Sequence, residues 1–171
     1  MHSAIRFLGV FAVCLLAPPA PAATTGGSFN VTANVGATCT VVTTGVAFGT
    51  YDPASSTPTN ASGAVTVTCT SGTTYSIALN AGSHAGGASL FGNRRMLANV
   101  SDFLPYQIYL DSFGGTVWGD GTNSSSVNPT VGTFTGTGVG LAHTVYGQIA
   151  AGNYVASGTY SDTINVTVTY N

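Results

Sequence analysis

Glycine or Asn/Asp clusters break this chain roughly every eight to twelve residues. The stretches between them are written in Thr, Val, Tyr and Ser, and none sustains a helical period. Punctuation at that spacing, in residues that suit a pleated surface, predicts an all-β chain of many short strands. Candidate strands are Ser28 to Val35, Thr38 to Thr43, Val46 to Gly49, Ala64 to Thr70, Thr74 to Asn80, Arg95 to Leu97, Tyr106 to Asp111, Val117 to Trp118, Val131 to Thr135, His143 to Ile149 and Gly158 to Tyr170, the last broken near Ser161 or Asp162. Asp52-Pro53, Asn80-Ala81-Gly82, Gly114-Gly115 and Asp120-Gly121 supply the turns, because proline presets φ and glycine accepts positive φ. So many short alternating strands point to an immunoglobulin-like β-sandwich. No internal repeat or interdomain linker is visible, and the Ser/Asn-rich run Gly121 to Asn128 reads as a surface loop.

The first 22 residues read as a secretory signal peptide. His2 and Arg6 give a positive start, Phe7 to Ala17 an apolar run, and Ala20-Pro21-Ala22 a small-residue cleavage site. That run is too short to span a bilayer, and no later segment approaches the roughly 20 apolar residues that a membrane helix needs. Cys14 lacks the small residue expected just before a lipidated cysteine and belongs to the leader. Export and no direct membrane insertion are therefore expected. The remaining chain, of roughly 150 residues, suits one domain with a full core.

Charge is scarce. Beyond the leader there are two cationic side chains, Arg94 and Arg95, against Asp52, Asp102, Asp111, Asp120 and Asp162, with no lysine and no glutamate. Nucleic acid and anionic membrane surfaces are excluded, since neither is held without a basic patch. Exposed sheet edges are commonly guarded by lysine or other charge, which this chain lacks; its edges are expected to be occupied by a partner.

Two cysteines remain after the leader, Cys39 and Cys69, an even pair in an exported chain and so one expected disulfide. Closing a loop of about 30 residues contributes roughly 3.5 to 4 kcal/mol in the chain-entropy account. With His84 and His143 isolated and no CxxC or HxxH spacing, no metal site and no cofactor are expected.

Ser28 to Val35 alternates cleanly. Phe29, Val31, Ala33 and Val35 share one face, while Ser28, Asn30, Thr32 and Asn34 share the other. No tight turn joins it to a following partner, so it can lie along another molecule or fold back on its own sandwich, and alternation alone does not say which. At the other end, Tyr160, Ile164, Val166, Val168 and Tyr170 form a long amphipathic strand ending at Asn171. A seven-strand sandwich ordinarily places one more strand beyond it, and without one an apolar groove and an open edge are expected. Phe29, Val31, Ala33 and Val35 of a neighbouring copy would fill that groove, with a burial term on the order of 5 to 8 kcal/mol gross.

Several strings bear on family. Phe48-Gly49-Thr50-Tyr51-Asp52 after Cys39, Val65-Thr66-Val67-Thr68-Cys69-Thr70, Tyr75-Ser76-Ile77 and Arg94-Arg95-Met96-Leu97 are followed by Leu104-Pro105-Tyr106-Gln107-Ile108-Tyr109, Trp118-Gly119-Asp120-Gly121, His143 to Ile149 and Gly158 to Ile164. In that order they resemble the spore coat protein U domain family, whose members are similar to subunits of archaic (Csu-type) chaperone–usher pili. The resemblance implies an incomplete immunoglobulin-like β-sandwich completed by a donor strand from a neighbouring subunit. It implies residues 23–37 as a donor-strand extension and 38–171 as the pilin domain. The donor residues would be Phe29, Val31, Ala33 and Val35, the acceptor strand Ile164, Val166, Val168 and Tyr170, and the bridge Cys39 to Cys69. The implied partners are identical or related pilin subunits, a periplasmic chaperone and an outer-membrane usher. The implied destination is the cell surface, as a fimbrium active in adhesion and biofilm formation. The family also includes coat proteins, so pilus and coat both stay open.

Two other classes are weighed against this. Catalysis would draw on His84, His143 and the aspartates, but there is no GxSxG elbow, no carboxylate pair sits in a recognisable motif, and no catalytic residue is assigned. Gly136, Gly138 and Gly140 imitate a phosphate loop without the helix that binds the anion. A monomeric carbohydrate-binding module would use Trp118, Tyr106, Tyr109 and Tyr146 as stacking platforms, where the plain alternative is packing inside the sandwich. Arg94 and Arg95 are expected to face a subunit contact or aspartate neighbours.

Overall fold

The computed structural model describes residues 20–87, 90–122 and 131–171. The chain divides into two units, 1–34 and 35–171, so the division falls inside the extension expected to run to residue 37. Of the first unit, residues 20–34 are described. They carry no ladder and are exposed throughout, Phe29 at 86% and Val31 at 85%. The strand expected over Ser28 to Val35 does not form in the single chain, because extended backbone becomes a strand only when a neighbour takes its N–H and C=O groups. The charged and apolar regions expected of a signal peptide lie outside the described residues, as does the expected loop from residue 123 onward.

The second unit is all-β. Its described strands are β1 (Cys39–Thr44), β2 (Thr59–Cys69), β3 (Thr74–Leu79), β4 (Arg95–Ala98), β5 (Asp102–Pro105), β6 (Gln107–Tyr109), β7 (Gly132–Thr135), β8 (Leu141–Ile149) and β9 (Val166–Tyr170), with one short 3-10 turn at Phe91–Asn93. They form a four-stranded sheet in the order β1-β2-β8-β6, a three-stranded sheet β7-β3-β9 and the hairpin β4-β5, all antiparallel. None of the sheets closes on itself. Cys39 stands directly opposite Cys69 in the β1–β2 register, and the two are joined by a disulfide.

The period-two pattern explains how the two larger sheets meet. Val65, Val67 and Cys69 of β2 are buried between Thr66 and Thr68, and Tyr75, Ile77 and Leu79 of β3 are buried between Ser76 and Ala78. These inner faces join Val145 and Ile149 of β8, Ile108 of β6 and the fully buried Trp118 in one core. At roughly 1.5 to 3 kcal/mol for each large apolar side chain removed from water, that shared core is what holds the layers together.

Two glycines set the entry to the core. A Cβ at Gly63 would meet the carbonyl of Thr44, and one at Gly147 would meet the side chains of Val46 and Phe48. Bare backbone at both positions lets the chain after β1 cross β2 and β8 closely and send Val46 and Phe48 inward.

Several expected strands change. Val46 to Gly49 forms none, and of Gly158 to Tyr170 only Val166–Tyr170 is laddered, with Ser161 joined to Leu97 by an isolated bridge. Val117 and Trp118 make no strand of their own; Val117 forms a single bridge to Tyr109. β2 begins at Thr59 rather than Ala64 because β8 continues opposite it, pairing Thr59 with Ile149 and Gly63 with Val145. β5 was not anticipated, since Asp102 and Pro105 disguise it; it is held by β4 through a turn in which Asn99 takes φ 53°.

Candidate functional site

The site is a groove along the open side of the sandwich. β9 pairs with β3 alone and β1 with β2 alone, so each is the edge of its sheet among the described residues. Beside them run two segments without strand structure, 45–51 after β1 and 155–165 before β9. Two clefts of about 340 and 640 Å³ lie here and share Val46, Phe48, Met96 and Tyr160 in their linings. The floor of the smaller is formed by Val65, Leu79, Tyr106, Ile108 and Val145; the larger continues over Leu104 and Ile149. These are the residues that would otherwise be the deepest part of a closed core.

The groove's walls are polar along their backbones and apolar in their side chains. Among the described residues, none of Val46 to Tyr51 takes part in a main-chain to main-chain hydrogen bond. On the other wall such bonds are sparse among the described residues: Ser161 exchanges two with Leu97, Thr163 accepts from Ser83, and Asn165 accepts from Asn80. Val46, Phe48, Val155, Tyr160 and Ile164 meanwhile pack partly buried against the core. An apolar floor flanked by unladdered backbone is what a strand with one apolar face would complete.

Of the acceptor residues named from sequence, Ile164 and Val166 line the groove. Val168 packs partly buried on the core and pairs with Ile77, while Tyr170 is 42% exposed opposite Tyr75. The donor residues Phe29, Val31, Ala33 and Val35 are exposed. Sequence reasoning missed Met96, Tyr106 and Asp162 as groove residues. The alternation of Val46 and Phe48 was the visible signal for the other wall.

A polar cluster borders the groove. The Asp162 side chain is 3% exposed; its Oδ1 lies 2.9 Å from His84 Nδ1 and accepts the Ser83 and Thr163 N–H groups, and its Oδ2 accepts the Tyr106 hydroxyl at 2.7 Å. Burial, and then this bond to a carboxylate, pushes the Tyr106 hydroxyl well above the ordinary tyrosine range, so it stays a donor.

The two arginines bond to carbonyl and amide oxygens rather than to carboxylates. Arg94 is buried, with its Nη groups donating to Gln107 Oε1, Ile108 O and Asn80 O, and its cation 5.4 Å from the Phe91 ring centroid. Burial lowers its pKa to about 10, with Tyr106 and Asp162 pulling the other way. Arg95 stacks on Phe103 at 3.9 Å and donates from Nε to His84 O. Neither makes an ion pair with an aspartate among the described residues. Their work is to tie loops through carbonyl groups, a role invisible in a linear reading because each acceptor is main chain or amide.

Two of the four aromatic residues considered for sugar stacking are buried in the core. Trp118 is 0% exposed and donates its indole N–H to Ile77 O, and Tyr106 is buried. Tyr109 is half-buried, and the half-buried Tyr146 packs edge-on against Phe113. His143 lies 3.8 Å from the Phe134 ring, with Nε2 2.7 Å from the Tyr75 hydroxyl; burial holds its pKa below the usual value. No three His, Cys, Asp or Glu side chains gather as metal ligands among the described residues.

Comparison with known proteins bears on the same span. Residues 25–167 match the Spore Coat Protein U domain. The chain is 36% identical over 164 residues to "Protein U" of Myxococcus xanthus, covering 89% of this chain and 88% of that one. Among solved structures it is similar to a chain in the crystal structure of the CsuC–CsuE chaperone–tip adhesion subunit pre-assembly complex from archaic chaperone–usher Csu pili of Acinetobacter baumannii. The identity is 26% and the TM-score 0.48, covering 77% of this chain and 39% of that chain.

Proposed function

The chain belongs to the Spore Coat Protein U domain family, and on that premise we propose that it is a secreted structural subunit that polymerises by donor-strand exchange into a surface pilus. Residues 1–22 are the export signal, 23–37 the donor extension and 38–171 the body that receives it. One observation carries this reading: the same chain has an exposed segment with a single apolar face, Phe29 to Val35, and an apolar groove whose walls lack a ladder. Strand addition supplies main-chain bonds for affinity and alternate side-chain positions for specificity.

A periplasmic chaperone that occupies the groove before assembly and an outer-membrane usher that passes the subunit outward are the partners this reading requires. Adhesion and biofilm formation are the functions of the finished fibre. The family's description favours a second reading, assembly into a coat through the same joint.

The test compares three proteins expressed in a bacterial periplasm: the chain with its leader, the same chain lacking residues 26–35, and one with that segment moved behind Asn171 through a flexible linker. Oligomer ladders on gels of unboiled samples are expected from the first, instability from the second and a stable monomer from the third. A deletion variant that stays folded with an unchanged melting temperature overturns the proposal. Electron microscopy of the assembled material separates filaments from sheets of coat.

A further inference from the structure

The geometry points to Asp162 and Tyr106 as positioning residues of the acceptor groove, holding its 155–165 wall in place before a donor strand arrives. This rests on the donor-strand reading above. The segment's other ties outside itself run to β4 and to residues 80–84: the exchange between Ser161 and Leu97, the bonds from Ser83 and Asn80, and the Asn165 N–H to Asn80 Oδ1. Among the described residues its one hydrogen bond to a residue of the groove floor is the Tyr106 hydroxyl on Asp162 Oδ2.

Tyr106 spans the floor. Its ring meets Phe48 of the opposite wall edge-on, with centroids 6.3 Å apart, while its hydroxyl grips Asp162, so the ring fixes the distance between the walls. The carboxylate is in turn oriented by Ser83, His84 and Thr163 through Oδ1. Gly82, at φ +95°, leaves room for it, since a Cβ there would collide with Oδ2. Three separate stretches of chain thus converge on one buried carboxylate that faces a cleft rather than a closed core.

A groove held at working width loses less freedom when a strand enters, and the saving appears in the rate and affinity of uptake. Once the donor is laddered along this wall, the same geometry is over-determined and the Tyr106–Asp162 bond becomes partly redundant. A merely structural bond would count equally in both states.

Tyr106→Phe separates the two, because it keeps the ring on Phe48 and deletes only the hydroxyl. The measurement is uptake of a labelled synthetic peptide with the sequence of residues 26–37 by a chain carrying Val31→Asp, so that only the peptide can donate. Beside it, the melting temperature is taken of the form with its own donor segment fused behind Asn171. Tyr106→Phe is expected to slow uptake by roughly tenfold or more, the effect of losing a hydrogen bond to a charged group, while the fused form melts only about 2 to 4 °C lower. Asp162→Asn is expected to act in the same direction. Unchanged uptake, or a loss in the fused form as large as the loss in uptake, overturns the positioning role. Failure of the Val31→Asp parent to take up any peptide overturns the donor-strand reading, and this inference with it.

Discussion

Val31→Asp is expected to abolish the oligomer ladder while leaving a chain that still accepts a donor, and Ile164→Asp is expected to abolish it from the opposite side. Val31 is 85% exposed in the single chain, so the substitution costs the unassembled protein little. In the joint the same carboxylate would have to enter the groove. Burying it without a partner costs several kcal/mol, against a gross apolar gain on the order of 5 to 8 kcal/mol for the whole donor face. Ile164 lines the smaller cleft, and a charge there meets every incoming strand. Mixing the two variants gives the decisive result. Ile164→Asp chains can donate but not receive, Val31→Asp chains can receive but not donate, and the mixture should stop at a heterodimer. Alone, each variant is expected to melt below the assembled chain, as the deletion does; circular dichroism in the cold checks that each is folded before mixing, and size-exclusion chromatography with light scattering reads the stoichiometry. Continued polymerisation of either variant alone would show that the joint lies elsewhere.

Removing the disulfide is expected to cost roughly 3.5 to 4 kcal/mol, the loop-closure value for about 30 residues. For a domain of this size that corresponds to a fall in melting temperature of roughly 7 to 15 °C. The bond joins the first residue of β1 to the last of β2, and β1 is an edge strand held by β2 alone. Its loss therefore acts at the groove as well, because β1 leads directly into the 45–51 wall. Thermal unfolding of the Cys39→Ser, Cys69→Ser chain, or of the natural chain with and without reductant, measures the first effect. Peptide uptake measures the second. Equal melting temperatures with and without the bond would contradict the loop-closure account.

Strands with a partner on each side or a clear inner face were legible in the sequence. β3, β7 and β8 appear within a few residues of where alternation placed them, as do β1 and β4. What was not legible depends on the partner a segment finds, near or far along the chain. β5 is written with Asp102 and Pro105 and becomes a strand because β4 offers it a ladder. Val46 to Gly49 and Gly158 to Asn165 have strand-like composition and remain unladdered, since pairing is a property of two segments and alternation reports only one. The groove follows the same rule. Ile164 and Val166 were visible as one side of a strand, but Met96, Tyr106 and Phe48 reach the site from three other regions, and no spacing announces their convergence. Trp118 and Tyr106 carry the stacking chemistry of a sugar site, and only their burial assigns them to the core.

The placement of the two arginines has a consequence for how long such a subunit lasts outside a cell. Digestive enzymes of the trypsin type cut after lysine or arginine, and they need that residue in a loose, accessible segment. The chain has no lysine, and after Arg6 its arginines are Arg94 and Arg95. The first is 1% exposed, and the second begins a laddered strand with its cation laid flat on Phe103. A folded subunit therefore offers such enzymes no bond to cut, and prolonged trypsin treatment should leave its mass unchanged until heat opens the fold.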